Sequence, residues 1–203
     1  MAKYQPWAYP GLSNGVILRK TIHTSGFAVP LLCIRLSSTY MVSLPLVLLT
    51  LVYTVAELAR TKGIKVPVFS TITRKAAAPK LEINYFVTAP ITFATGIIIS
   101  LLIFPTEIAY TSIAILTLGD SFASIFGRTF GKTSLFFNRN KSLEGTICGF
   151  SFAFLGSLLF TGPIQAIVAC AVGMFAECIP SPFDDNLVTP LVAGTVLILL
   201  TLL

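Results

Sequence analysis

Apolar runs of membrane-spanning length recur along this chain and constrain its fold more than any other feature. A bilayer core about 30 Å thick is crossed by about 20 helical residues, and residues 85–103 and 108–126 approach that length almost without charge. Within hydrocarbon every backbone polar group must be bonded internally, so only helices or a closed barrel can span. Barrel strands alternate apolar and polar residues; these runs do not. Composition agrees, with 55% of the 203 residues hydrophobic and 11% charged, a mean hydropathy of +0.87, and about 25% charged expected of an ordinary soluble domain. The expectation is an all-α, polytopic transmembrane bundle forming one domain over residues 1–203, without internal repeats or low-complexity tracts.

Seven spans fit the pattern: residues 21–34, 41–59, 85–103, 108–126, 144–160, 164–179 and 187–203. The first and sixth are short, and six spans also fit. Compact turns separate them at Ser37-Ser38-Thr39, Phe104-Pro105-Thr106 and Thr161-Gly162-Pro163, as Pro and Gly chemistry favours. With the N-terminus in the cytoplasm, all but Arg35 of the 14 basic residues, Lys3, Lys65 and Lys80 among them, lie on the inner side, as the positive-inside rule requires. All acidic residues but Glu107 lie there too, including Glu82. The polar chemistry is therefore cytoplasmic. The net charge of +6 is explained by lipid headgroups and topology, so nucleic acid is not an expected partner. Met1 to Gly15 has no apolar core of a signal peptide. Cys33, Cys148, Cys170 and Cys178 lack metal-ligand spacing and read as small core residues.

Residues 119–150 carry the most information: GDSFASIFGRTFGKTSLFFNRNKSLEGTICGF. If the fourth span runs on past Phe126, Asp120, Ser124, Arg128 and Lys132 form one polar row at four-residue spacing. Gly119, Ala123, Gly127 and Gly131 form a row of small residues beside it. Small rows let helix backbones approach closely, and Gly145, Gly149 and Ala153 supply a second row on the fifth span. An aspartate within a span is costly unless it meets a cation, a metal or water, which makes Asp120 a functional candidate. Gly127 to Thr133 is one residue short of a phosphate loop and comes after no strand. The chemistry nevertheless suits phosphate, because Arg128, Lys132, Arg139 and Lys141 crowd near exposed glycine backbone. Ser142, Glu144 and Gly145 sit at a helix N-terminus, where free N–H groups favour anions, and Glu144 either caps that helix or holds a metal. Asp120 and Glu144 are expected to approach one another at adjacent helix ends.

Other inner ends add to the constellation. Arg19 and His23 share a helix face, with Lys20 beside them, and His23 suits phosphate contact or proton transfer. Glu177 precedes Asp184-Asp185-Asn186 at the start of the last span, a set of oxygens suited to Mg²⁺ and equally to capping the helix.

The sequence GDSFASIFGRTFGK followed by NKSLEGTICGF resembles the signature of the CTP-dependent lipid kinases, the family of dolichol kinase, CTP-dependent diacylglycerol kinase and phytol kinase. Arg19-Lys20-x-x-His23 and Glu177 with Asp184-Asp185-Asn186 stand where that family's pattern expects them. The resemblance implies transfer of the γ-phosphate of CTP to a lipid hydroxyl at the cytoplasmic face with a divalent metal, Mg²⁺ or another. It implies Asp120, Asp184, Asp185 and Glu144 on the metal, and Arg128, Lys132, Lys141, Ser142, Gly145, Arg19, Lys20 and Asn186 around the nucleotide. Catalytic roles fall to Asp120, Lys141, Glu144 and His23, with His23 or an acidic residue deprotonating the alcohol. A polyprenol or dolichol-type isoprenoid is the first substrate expectation and diacylglycerol the second. The chain is more distantly similar to phosphatidate cytidylyltransferases, whose Lys-Asp and His-Gly-Gly elements it lacks. An ion-coupled transporter would show inverted repeats and a deeper charged pathway, and neither is present. A purely structural scaffold would need fewer charges at one face. The expected location is the cell membrane in a prokaryote, and the endoplasmic reticulum or plastid membrane in a eukaryote.

Overall fold

A computed structural model describes residues 12–64, 66–76 and 85–202. Lys3, Lys65, Lys80, Glu82, the segment before residue 12 and the terminal Leu203 lie outside the described residues. The described chain is helical, with no strand beyond an isolated bridge between Ser134 and Ser142.

Helix α1 (Asn14–Ser25) starts at Ser13, whose hydroxyl accepts the Val16 N–H, and α2 (Ala28–Leu36) comes after a tight turn. The Gly26 and Phe27 amides bond back to His23 and Thr24 in that turn. The first expected span, residues 21–34, is thus a broken pair of helices. Ser37 in the left-handed conformation closes α2, and α3 (Tyr40–Thr61) runs 22 residues through Pro45. Gly63, at φ 83°, provides the turn beyond it. A short amphipathic helix with no counterpart among the expected spans, α4 (Pro67–Ala76), comes next.

Helix α5 (Ala89–Ile103) ends at Phe104-Pro105. Then α6 (Thr106–Ala114), a π-helical turn (Ile115–Gly119) and α7 (Asp120–Phe130) make one continuous 25-residue element. The helix does run on past Phe126, to a cap at Gly131. Helices α8 (Leu143–Ser157), α9 (Pro163–Cys178) and α10 (Asp185–Thr201) complete the fold.

Two elements, Tyr40–Thr61 and Thr106–Phe130, are each long and apolar enough to cross a bilayer; α5, α9 and α10 are shorter apolar helices. The two long elements play different parts. Ile113, Ala114, Ile115 and Leu116 of the continuous element are fully buried and form the centre of the core with Ile97, Cys170 and Leu197. On α3 the residues Leu44, Leu48, Leu51, Val52 and Val55 are exposed, an apolar outer surface of the kind that a bilayer covers.

The two small rows pack against each other, as their spacing suggested. A Cβ on Gly145 would meet the Ala123 carbonyl oxygen at 2.5 Å, and one on Gly149 the Gly119 carbonyl oxygen at 2.6 Å. At these two positions no residue larger than glycine fits without moving backbone. Cys33, Cys170 and Cys178 are buried and, like Cys148, free thiols, consistent with small core residues.

Candidate functional site

Asp120 is the first residue of α7, placed directly after the π-helical turn. Such a turn holds one extra residue and so rotates the side chains beyond it about the helix axis. The Asp120 carboxylate meets α1: Lys20 Nζ stands 2.6 Å and His23 Nδ1 3.2 Å from the same oxygen, Oδ2. Lys20 and His23 are both buried, so the aspartate is compensated where it would otherwise be costly. The His23 ring stacks on Phe93 of α5 at 4.0 Å between centroids.

A second charged cluster comes from the α7–α8 connection. The Leu135 amide donates to the Lys141 carbonyl and the Leu143 amide to the Thr133 carbonyl, each at 2.9 Å, which folds the connection into a narrow loop. Asn138 Nδ2 donates to the Cys178 carbonyl at 3.0 Å, tying the loop to the end of α9. Lys141 Nζ then lies 2.9 Å from Glu177 Oε1 and 2.9 Å from Asp185 Oδ2, and also donates to the Glu177 carbonyl. One ammonium thereby clamps the end of α9 to the start of α10. Burial alone would lower the Lys141 pKa, but the Glu177 and Asp185 carboxylates outweigh it and hold it above the ordinary lysine value.

Both clusters face one cavity of about 220 Å³, walled by α1, α7, α8, α9, α10 and the loop before α8. Four cations, Arg19, Lys20, Arg128 and Lys141, and three carboxylates, Asp120, Glu177 and Asp185, line it together with Ser124, Asn140, Ser142 and Thr146. Two polar atoms of lining residues are buried without a partner, Arg19 Nε and Glu177 Oε2.

The structure places Arg19, Lys20, Asp120, Arg128, Lys141, Ser142 and Asp185 around one cavity, with His23 behind Asp120. Other expected site residues stand elsewhere. Glu144 does not approach Asp120: α8 begins beside the C-terminal end of α7, and its Gly145 opposes Ala123 and Gly127. Asp120 opens α7, whereas the Glu144 carboxylate sits at Thr133 beyond the helix's far end at Phe130, ten residues or about 15 Å along the axis. The Glu144 carboxylate instead accepts the Thr133 amide at 3.1 and 3.2 Å and closes the loop. Asp184 caps α10, accepting the Asn186 amide at 2.9 Å and the Thr92 hydroxyl at 2.8 Å. Asn186 is buried beside Thr92. Lys132 comes after the Gly131 cap, where the helical row has ended. Among the described residues no three His, Cys, Asp or Glu side chains are grouped to hold a metal, so the expected set of Asp120, Asp184, Asp185 and Glu144 is not assembled. Glu177 lines the cavity although its position in the sequence gave it no assigned role. Its signal is a carboxylate in the last turn of an otherwise uncharged helix.

No family model and no solved structure matches the chain. Curated relatives do. The chain is 32% identical over 155 residues to CTP-dependent diacylglycerol kinase 1 of Schizosaccharomyces pombe, covering 66% of this chain and 71% of that protein. It is 34% identical over 130 residues to probable phytol kinase 2, chloroplastic, of Glycine max, and 34% over 130 residues to probable phytol kinase, chloroplastic, of Zea mays. Those matches take in 55% of this chain in each case, and 44% and 43% of the plant proteins. The chain therefore spans less than half the length of these plant relatives.

Proposed function

The chain belongs to the family of CTP-dependent lipid kinases, and from that premise we propose that it transfers the γ-phosphate of CTP to the hydroxyl of a membrane lipid alcohol. The observation that carries this reading is the cavity in which four cations surround Asp120, Glu177 and Asp185. A triphosphate needs a concentration of positive donors, and phosphoryl transfer is accelerated chiefly by positioning and charge stabilisation. Arg19, Lys20 and Arg128 supply those donors and Lys141 adds its charge, while Ser142 and Gly145 set the N-terminus of α8 beside them. His23 holds Asp120 in place rather than touching substrate.

The donor set suits Mg²⁺. Nucleotide-bound Mg²⁺ takes one or two protein carboxylates and completes its shell with phosphate oxygens and water, so a three-residue cluster is not required. Asp120 and Asp185 are the carboxylates that would hold it, with Asp184 kept as the cap of α10 and Glu144 as the acceptor that closes the loop. Bound there, the ion would neutralise charge on the β- and γ-phosphates.

An isoprenoid alcohol of the polyprenol or dolichol type is the proposed acceptor, with diacylglycerol the second choice; among the relatives, phytol kinases and a diacylglycerol kinase are named for alcohols of both kinds. The protein is proposed to be multi-pass, with its charged end cytoplasmic and seven crossings made by the α1–α2 pair, α3, α5, the α6–α7 element, α8, α9 and α10. The host membrane is the cell membrane in a prokaryote, or the endoplasmic reticulum or plastid membrane in a eukaryote.

The test supplies purified protein in lipid with γ-labelled CTP, Mg²⁺ and separate panels of polyprenol, phytol and diacylglycerol. Label enters the lipid phase with the wild type, and Asp120→Asn lowers transfer by about 100-fold or more, the scale of a lost charge-stabilising group. Formation of a CDP-lipid from phosphatidic acid and α-labelled CTP, without γ-label transfer, would replace the kinase with a cytidylyltransferase.

A further inference from the structure

Glu177 is 3% exposed, and its two carboxylate oxygens differ. Oε1 accepts from Lys141 Nζ at 2.9 Å, while Oε2 is buried without any hydrogen-bond partner. A buried acceptor left without a donor is destabilising, and more so when it is charged. Glu177 lines the cavity, and the atom its carboxylate leaves unpartnered lacks one thing, a donor. On the reading proposed above, which this inference rests on, the triphosphate brings acceptors to the cavity and its phosphates cannot satisfy the site. The alcohol brings an O–H to the reacting phosphorus.

The other cavity groups are less suited to take that proton. Asp120 pairs with Lys20 and His23 through Oδ2, is 18% exposed at its side chain, and on the reading above is a carboxylate that would hold Mg²⁺. His23 is stacked on Phe93 and does not line the cavity. Asp185 is 40% exposed at its side chain and paired with Lys141. Among these groups Glu177 alone is a buried carboxylate held at one oxygen and left with a buried, unpartnered acceptor at the other. We propose that Glu177 is the general base of the transfer. The alcohol O–H donates to Glu177 Oε2, which takes the proton as the alcohol oxygen bonds to the γ-phosphorus. The bond from that phosphorus to the bridging oxygen breaks and CDP leaves with its electron pair. Lys141 keeps the carboxylate oriented and its charge balanced while the second oxygen works.

The experiment measures initial rates on the full chain in lipid nanodiscs with γ-labelled CTP and whichever alcohol the wild type labels, comparing Glu177→Gln and Glu177→Asp. General-base catalysis contributes about 10²–10⁴-fold. Glu177→Gln should lower kcat by that factor while the KM for CTP stays within about threefold, because Arg19, Lys20 and Arg128 do not pair with Glu177 and Lys141 keeps its Asp185 partner. Glu177→Asp keeps the charge opposite Lys141 and should recover part of kcat. Thermal melting of each variant separates loss of chemistry from loss of fold, and Glu177→Asp carries the test if Glu177→Gln does not fold. A kcat within about threefold of wild type in Glu177→Gln, or a loss confined to the KM for CTP, overturns the assignment and leaves the kinase reading standing. Absence of label from every alcohol with the wild type removes both.

Discussion

Lys141 shows how one side chain sets the geometry of the cavity. Its ammonium is the partner of the buried Glu177 carboxylate and of Asp185, and removing one partner of a buried pair costs about 3–5 kcal/mol because the other charge is stranded. Lys141→Met should therefore lower the melting temperature by several degrees and abolish transfer. The raised pKa fixes the pH dependence. A lysine whose folded pKa exceeds its unfolded value of about 10.4 contributes stability that is complete below that value and is lost as pH rises through the folded one. The melting difference between wild type and Lys141→Met should thus be constant from about pH 6 to 9, below both values. A difference that shrinks across that interval would show the ammonium titrating there. Asp120, Lys20 and His23 were each legible as candidates from their residue types and spacing. Their convergence on a single oxygen was not, because it joins residues about a hundred positions apart. Glu144 illustrates the opposite error: an acid in the first turn of a helix looks the same in sequence whether it binds a metal or a neighbouring amide.

At the level of elements, the α7–α8 seam was the most readable feature. Glycines and alanines at four-residue spacing on two consecutive segments leave few arrangements other than close backbone contact. Gly149→Leu places a branched side chain where a Cβ already meets a carbonyl oxygen at 2.6 Å. Overpacking of this kind costs about 1–3 kcal/mol or more. The expected outcome is a lower melting temperature with loss of transfer, measured by thermal unfolding in detergent beside the label assay; an unchanged melting curve would mean that the two helices can separate. The π-helical turn and α4 left no comparable trace. An extra residue in a helix turn changes no periodic pattern that a short apolar run can display, and α4 is only ten residues long. The break after α1 was not placed, since Ser25-Gly26 falls inside residues 21–34, which read as one short span.

For the whole molecule, the charged cavity sits at one end of the bundle, and the α7–α8 loop projects there with Phe136 98% exposed at its tip. The proposed orientation puts this loop in the cytoplasm and the turn at Ser37 on the opposite side. A membrane-impermeant thiol reagent should label Phe136→Cys in inside-out vesicles and Ser37→Cys in right-side-out vesicles, against the unmodified chain as background. The reverse pattern would invert the topology and place the nucleotide site outside. Hydropathy located most of the helices because apolar length is a one-dimensional property. It did not reveal which of them becomes the centre: α3 and the α6–α7 element have similar composition, yet one faces outward and the other is enclosed.

The glycine seam also bears on traffic. Two helices whose backbones touch leave no channel between them, and a lipid tail several ångströms wide cannot pass where a single methyl group does not fit. The wall that α7 and α8 form together is shut to a lipid tail, and on the proposed function the alcohol would come to the cavity along a different boundary of the bundle.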